Sequence, residues 1–144
     1  MRVVLDANVW VSGLLYPDGT SGRILESVRQ GAITAVASWA LADEVAEVLR
    51  RPRITKPYGI DEADVRAILQ LMRPLLPTVE VQVPIRDADD APVVAAALAG
   101  GAEAIVSGDK DLFDPALRAW LADRHVRVLT PREVAEGRRD IYGR

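Results

Sequence analysis

Four carboxylates are the side chains of this sequence best placed to do chemistry. They stand where buried strands end or helices run: Asp6, Glu44, Asp90 and Asp109. Asp6 directly follows the apolar residues 3–5, and Asp109 follows residues 105–106 through a Ser-Gly pair. Ligands of α/β sheets bind outside the carboxyl ends of the strands, so these two acids are expected to face one crevice. Because crowded carboxylates repel each other, the pattern predicts a bound hard cation with oxygen ligands.

Glu44 belongs to a segment with helical spacing. Ser38 is a suitable N-cap for this helix, and Glu44 lies three and four residues from Leu41 and Val48. The spacing places the carboxylate on or beside the apolar face of the helix. Glu44 is therefore expected to approach the sheet from a direction different from that of the strand-end acids.

Asp90 is predicted to open a small-residue helix over Ala91–Ala99. Apolar residues three, four and seven positions later form a packing stripe that anchors this end of the helix. Asp87 and Asp89 lie so close that either is an alternative to Asp90. We favour Asp90 because the helix fixes its direction, whereas Asp87 lies in the preceding loop.

Each acid also has an ordinary structural explanation. Aspartate is common at strand exits, a helix glutamate can be salt-bridged, and acids at a helix start complement its dipole. These explanations account for the acids one at a time. Three charges near one sheet edge are nevertheless costly unless something compensates them, which favours a ligand.

Hydrophobic spacing and turn residues predict the elements that hold these acids. Strands are predicted at residues 2–5, 33–37, 79–83, 104–107 and 126–129, and helices begin near Ser21, Ser38, Asp61, Asp90, Asp114 and Thr130. Residues 51–60, which contain two prolines and a glycine, are predicted to form a loop. The alternation predicts an α/β fold with three layers, in which helices flank a central parallel sheet of about five strands. We expect one domain over residues 1–136 and a polar tail over 137–144.

Composition limits the class of protein further. The 144 residues are 49% hydrophobic and 5% aromatic, which is enough for one aliphatic core. The sequence has no cysteine, so disulfides, thiolate metal sites and cysteine nucleophiles are excluded. It has neither the ~20-residue apolar run of a spanning helix nor the pattern of a secretory signal. We therefore expect a cytoplasmic domain without a membrane partner.

Basic residues are unevenly distributed in a chain whose net charge is −3. One cluster consists of Arg50, Arg51, Arg53 and Lys56, and another of Arg132, Arg138, Arg139 and Arg144. The overall charge argues against a broad basic surface for nucleic acid, although a bound metal would neutralise several acids. Solvated helix ends explain both clusters, and the first cluster is also a candidate for phosphate contacts.

The remaining chemically versatile side chains are given structural roles. His125 is the single histidine of the chain, and we expect it on the surface rather than as a general base. The tryptophans Trp10, Trp39 and Trp120 are expected in the core because aromatic side chains bury area efficiently.

Four motifs follow one another in a specific order. They are Asp6-Ala7-Asn8-Val9 after a strand, Glu44 within a helix, Asp87-Ala88-Asp89-Asp90 before an alanine-rich helix, and Ser107-Gly108-Asp109-Lys110-Asp111 after another strand. In this order and spacing the chain closely resembles the PIN domain, from Met1 to about Glu136. The family consists of metal-dependent nucleases, many of them ribonuclease toxins of VapC-type toxin–antitoxin pairs.

The resemblance implies a role for each acid. The four acids of the family correspond to Asp6, Glu44, Asp90 and Asp109, and the supporting positions are Asn8, Ser107, Asp111 and Asp87. Mg²⁺ or Mn²⁺ would be held mainly by the three aspartates, while Glu44 would either ligate the metal or orient the attacking water. The resemblance further implies an RNA substrate, a homodimer and an antitoxin partner.

Two alternatives remain at the level of sequence. A phosphatase of the haloacid-dehalogenase type also has an aspartate after its first strand, but it needs a second acid two residues later, where this chain has Asn8. Its lysine is expected before the Gly-Asp loop, whereas Lys110 follows Asp109. The other alternative is a PIN-like domain that binds RNA or protein without cutting, which the presence of all four acids argues against.

Overall fold

Strands and helices alternate along residues 1–78 and 90–136, the part of the chain that the computed structural model describes. The strands are β1 (Arg2–Leu5), β2 (Thr34–Ala35), β3 (Ala37–Ser38), β4 (Leu75–Leu76), β5 (Ala104–Val106) and β6 (Arg127–Leu129). The helices are α1 (Ala7–Leu15), α2 (Thr20–Arg29), α3 (Trp39–Leu49), α4 (Pro52–Tyr58), α5 (Glu62–Leu71), α6 (Ala91–Ala99), α7 (Pro115–Ala122) and α8 (Pro131–Glu136), with a 3₁₀ turn at Lys110–Phe113. Among these described helices, none is long and apolar enough to cross a membrane. The predicted α/β class is confirmed.

The central sheet is parallel and has the order β2-β1-β5-β6. Its two inner strands pair in register from Val3 with Ala104 to Leu5 with Val106. The Asp6 backbone N–H extends this pairing by donating to the Val106 carbonyl oxygen at 2.9 Å. The carboxyl ends of β1 and β5 therefore lie at the same level, and the residues that follow them are neighbours.

The second predicted strand is divided between two sheets. Thr34–Ala35 pairs with β1, whereas Ala37–Ser38 pairs in parallel with β4 as a separate two-stranded sheet. Ser38 also caps α3, as predicted, because its Oγ accepts a hydrogen bond from the Leu41 backbone N–H at 3.2 Å. The strand predicted at residues 79–83 lies outside the described residues. Within those residues the central sheet has four strands rather than five.

Two helices, α4 and α1, differ from the sequence prediction. Residues 51–60 are not a loop, because Pro52 begins α4 after ending α3. Proline stops a running helix, yet its fixed φ suits the first position of a new one. Gly59, at φ 63°, then ends α4. The prediction also omitted α1, which begins directly after Asp6.

The core is built from aliphatic residues of the inner strands and the facing helices, and Trp10 is fully buried in it, as predicted. Trp120 packs partly against the core, with the Arg124 guanidinium 3.6 Å from its ring centre. Trp39 is 53% exposed, so the prediction that it belongs to the core is wrong. It is the first residue of α3, whose buried residues begin only at the third position. His125 is exposed, as predicted.

The contact between α2 and the preceding turn depends on Gly22. A Cβ atom here would lie 2.1 Å from the Pro17 carbonyl oxygen and 2.6 Å from that of Tyr16, and neither backbone atom moves easily. We expect Gly22→Ala to lower the free energy of unfolding by about 1–3 kcal/mol, the usual cost of overpacking. Gly108→Ala is the matched control, since a Cβ atom there meets nothing within 4 Å. Chemical denaturation compares the variants, and equal stabilities would contradict this packing.

Candidate active site

Asp6 is held in a fixed direction at the carboxyl end of β1. Its Oδ1 accepts a hydrogen bond from the Ala7 backbone N–H at 2.8 Å, which makes it the N-cap of α1. Its Oδ2 accepts a second hydrogen bond, at 2.6 Å, from the hydroxyl of Ser107. Asp6 is 6% exposed and Ser107 is fully buried. Both carboxylate oxygens of Asp6 are thus oriented by the end of the sheet.

Ser107 also connects Asp6 to Asp109. The same hydroxyl oxygen accepts a hydrogen bond from the Asp109 backbone N–H at 2.9 Å. Asp109 in turn accepts, through Oδ1, from the Asp111 backbone N–H at 2.9 Å, where the 3₁₀ turn begins. The segment after β5 is therefore shaped by hydrogen bonds that set the positions of two acids relative to each other.

Burial raises the pKa of the Asp6 carboxyl above its ordinary value. The hydrogen bonds from Ser107 and Ala7 lower this pKa by stabilising the charged form, and the negative charge of Asp109 raises it again. The ionised form of Asp6 is thus disfavoured in the metal-free protein. A cation between the acids would remove both the desolvation penalty and the repulsion.

Asp90 completes a group of three carboxylates with Asp6 and Asp109. One carboxylate oxygen of each residue lies within 4.8 Å of those of the other two. Asp90 reaches the group from the N-cap position of α6 and is 6% exposed. Oxygens that share one hard cation lie roughly 2.0–2.6 Å from it, and can therefore be about 4–5 Å apart. The type and spacing of these donors fit a divalent cation.

A cavity of about 240 Å³ opens over the carboxylates, and Glu44 of α3 faces it from a second direction. The residues that line it are Asp6, Ala7, Asn8, Glu44, Val48, Arg51, Asp90 and Asp109. Glu44 is half-buried, in agreement with its predicted place beside the apolar face of the helix. The group of mutually close oxygens does not include it. The structure therefore separates a triad of aspartates from a fourth acid that shares their cavity.

The predicted supporting residues are placed differently from one another. Asn8 is exposed and lines the cavity. Asp111 is not among the described residues that line it, and it contributes its backbone N–H to Asp109. Asp87 and Asp89 lie outside the described residues. Asp90 is the described residue of this segment that lies in the triad, and the choice among Asp87, Asp89 and Asp90 stays a prediction.

Arg51 is the member of the predicted basic cluster that lines the cavity. Its guanidinium forms an exposed ion pair with Glu47 at 3.0 Å. Exposed pairs of this kind contribute little stability. Arg51 is the N-cap residue of α4, two positions beyond the end of α3.

The other three members of the cluster do not line the cavity. Arg50 is directed to Glu62, with which it forms three hydrogen bonds of 2.9–3.2 Å. Arg53 and Lys56 are exposed on α4. The four basic residues are close in sequence but differ in structure, because only Arg51 lines the cavity.

A parallel sheet that gathers three aspartates at its carboxyl edge defines a class of α/β proteins suited to binding a hard divalent cation there. The chain belongs to the PIN domain family, whose profile matches residues 2–111. PIN domains are generally metal-dependent nucleases, and the acidic triad fits that chemistry. The chain is also similar to an uncharacterized protein of Methanocaldococcus jannaschii, with 28% identity over 142 residues that cover 94% of this chain and 90% of the relative. The predicted family is confirmed, and it separates the chain from the phosphatase alternative.

Proposed function

We propose that this protein is a metal-dependent endoribonuclease that hydrolyses RNA phosphodiester bonds. The observation that carries the proposal is the convergence of Asp6, Asp90 and Asp109 within 4.8 Å in a PIN domain. These residues would hold Mg²⁺ or Mn²⁺. When bound, such an ion makes a water molecule nucleophilic and stabilises negative charge on the phosphate oxygens.

Residues around the triad have separate tasks in this proposal. Ser107 is a positioning residue, because its hydroxyl links the Asp6 carboxylate to the Asp109 backbone. Glu44 faces the same cavity from α3, so we assign it either a direct metal contact or the orientation of the attacking water. Asn8 lines the cavity from the first turn of α1 and is placed to hydrogen-bond the substrate.

A role as the toxin of a toxin–antitoxin pair extends the proposal. Its support is the resemblance of the motif order to VapC-type toxins, which brings with it cytoplasmic RNA as substrate, a homodimer and an antitoxin partner. Light scattering of the purified 15.7 kDa chain tests the dimer directly. A monomeric mass would remove the dimer from the proposal without affecting the cleavage chemistry.

Incubation with a mixed RNA pool tests the nuclease function. The reactions contain EDTA, Mg²⁺ or Mn²⁺, and they compare the wild type with Asp109→Asn and with the exposed control Asp123→Asn. We expect cleavage that requires metal, is lost in Asp109→Asn and persists in Asp123→Asn. A folded protein that binds metal but cuts no RNA would point to a narrow substrate or a retained inhibitor. One that neither cuts RNA nor binds metal would be a non-catalytic RNA- or protein-binding domain.

Arg51 is our candidate for a phosphate contact next to the carboxylates. We expect Arg51→Ala to weaken binding of single-stranded RNA and to reduce the slope of log affinity against log salt by about 0.7, the contribution of one phosphate contact. Arg50→Ala is the matched control, because Arg50 is not among the residues that line the cavity. Anisotropy titrations at several salt concentrations measure both slopes. An unchanged slope in Arg51→Ala would exclude this contact.

A further inference from the structure

Two exposed tyrosines form an ordered pair that the cleavage chemistry does not use. Tyr16 and Tyr58 are 53% and 41% exposed. Their ring centres are 5.6 Å apart, their planes meet at 86°, and their hydroxyl groups are hydrogen-bonded to each other. Large aromatic side chains usually contribute their area to a core, as Trp10 does in this protein. An ordered aromatic pair at the surface indicates a place where something flat and apolar can bind.

Both tyrosines stand at the ends of helices that begin at the carboxylate cavity. α1 has Asp6 as its N-cap and Tyr16 as its C-cap, while α4 follows Arg51 and ends at Tyr58. Asp6 and Arg51 both line the cavity. With a rise of 1.5 Å per residue, the tyrosines lie about 10–15 Å along these helices from the cavity. α4, which has no buried residue, therefore offers an exposed path from the cavity to the tyrosine pair, and the mostly buried α1 ends at the same pair.

The charge along this path suits a polyanion. α1 contains no charged residue, and α4 contains Arg53 and Lys56 but no acid. Single-stranded nucleic acid binds surfaces that combine basic residues for its phosphates with aromatic rings for its bases.

We propose that Tyr16 and Tyr58 stack a base of single-stranded RNA, a few nucleotides from the phosphate at the carboxylates. In an edge-to-face pair one ring covers only one face of the other, so ring faces remain open to a base. The hydrogen bond between the hydroxyls holds the rings in place, which reduces the freedom lost when a base binds. Because stacking accepts any base, the pair distinguishes single strands from duplexes but does not select a base sequence. This inference rests on the proposed function, because it takes RNA as the substrate.

Direct binding of a short fluorescein-labelled single-stranded RNA in EDTA tests the pair without cleavage. We expect Tyr16→Ala and Tyr58→Ala to bind about 5- to 150-fold more weakly than the wild type, the range for loss of one stacked base. Tyr58→Phe keeps the ring and should retain most of the affinity. Trp39→Ala is the matched control, because it removes an exposed aromatic that belongs to neither helix. If Tyr58→Ala does not fold, Tyr58→Leu is measured in its place, since it also removes the aromatic ring.

An abasic nucleotide moved along the RNA locates the stacked base. The wild type should lose affinity at one position, and Tyr58→Ala should be insensitive to the same change. Unchanged affinity in the folded alanine variants would overturn the stacking site even if the protein cleaves RNA. Binding that depends on the tyrosines in a protein that neither cuts RNA nor binds metal would support the site and contradict the proposed nuclease. An altered oligomeric mass with unchanged RNA affinity would place the pair at an interface between copies, and the proposal would be wrong.

Discussion

Asp6→Asn is expected to abolish metal-dependent cleavage of RNA. The rate should fall at least about 100-fold, because removing one group that stabilises transition-state charge has an effect of this size. Asp6 is the acid of the triad whose two oxygens are both oriented by hydrogen bonds, from Ala7 and Ser107. Asparagine has one neutral oxygen and an amide nitrogen that does not bind Mg²⁺, so the substitution removes both charge and ligand. Single-turnover cleavage with Mg²⁺ or Mn²⁺ measures the loss.

The same substitution is not expected to disturb the fold. The asparagine side chain has the shape of aspartate, and its carbonyl oxygen can still accept from the Ala7 backbone N–H. Its amide group can donate to the Ser107 hydroxyl oxygen, which reverses the direction of that hydrogen bond without breaking it. A lost activity would therefore report on the chemistry of the site. Wild-type cleavage by the variant would show that Asp6 is not a ligand.

Without metal, Asp6→Asn is expected to be more stable than the wild type at neutral pH. Burial raises the pKa of Asp6 in the folded protein above its unfolded value. The wild type therefore loses stability as the pH rises from below the unfolded pKa through the folded pKa, while the variant has no such loss. Urea denaturation in EDTA at neutral and acidic pH measures the difference, which should disappear on acidification. Asp123→Asn, an exposed change of the same type, should show no comparable gain.

The sequence was sufficient to predict that Asp6 and Asp109 converge, because a parallel sheet places the carboxyl ends of its strands on one edge. Asp6 and Asp109 each follow an apolar strand run, and Asp90 precedes a helix that packs on the sheet. The link made by Ser107 was only partly predictable. Its residue type suggested a supporting role, but its two hydrogen bonds depend on the register of β1 against β5, which the sequence does not encode locally.

Side-chain direction was the property that the sequence could not supply. Arg50 and Arg51 are adjacent, yet one faces Glu62 and the other lines the cavity. They are the C-cap of α3 and the N-cap of α4, so the turn between these two helices decides which of the two side chains faces the carboxylates. Pro52 shows a related ambiguity, because the same residue ends one helix and begins the next.

Manganese is expected to raise the free energy of unfolding of the wild type. The gain should be ~2.7 kcal/mol when the free Mn²⁺ concentration is one hundred times the dissociation constant, and ~4.1 kcal/mol when it is one thousand times. The unfolded chain cannot hold Asp6, Asp90 and Asp109 within 4.8 Å, so the ion binds the folded state selectively. Asp109→Asn should lose most of this gain, and Asp123→Asn should keep it. Thermal unfolding at increasing Mn²⁺ concentration measures the effect, and identical curves for the two variants would contradict a metal centre at the triad.

The pH dependence of this gain separates metal binding from general stabilisation. Protons compete with the cation for carboxylates, so the stabilisation by Mn²⁺ should shrink as the pH falls. The contribution of Asp6 to the stability of the metal-free protein has the opposite trend, because its raised pKa favours the protonated fold at low pH. Opposite slopes are expected if the carboxylate that is disfavoured in its charged form without metal also binds the ion. A gain from Mn²⁺ that stays constant through the titration of Asp6 would place the ion elsewhere.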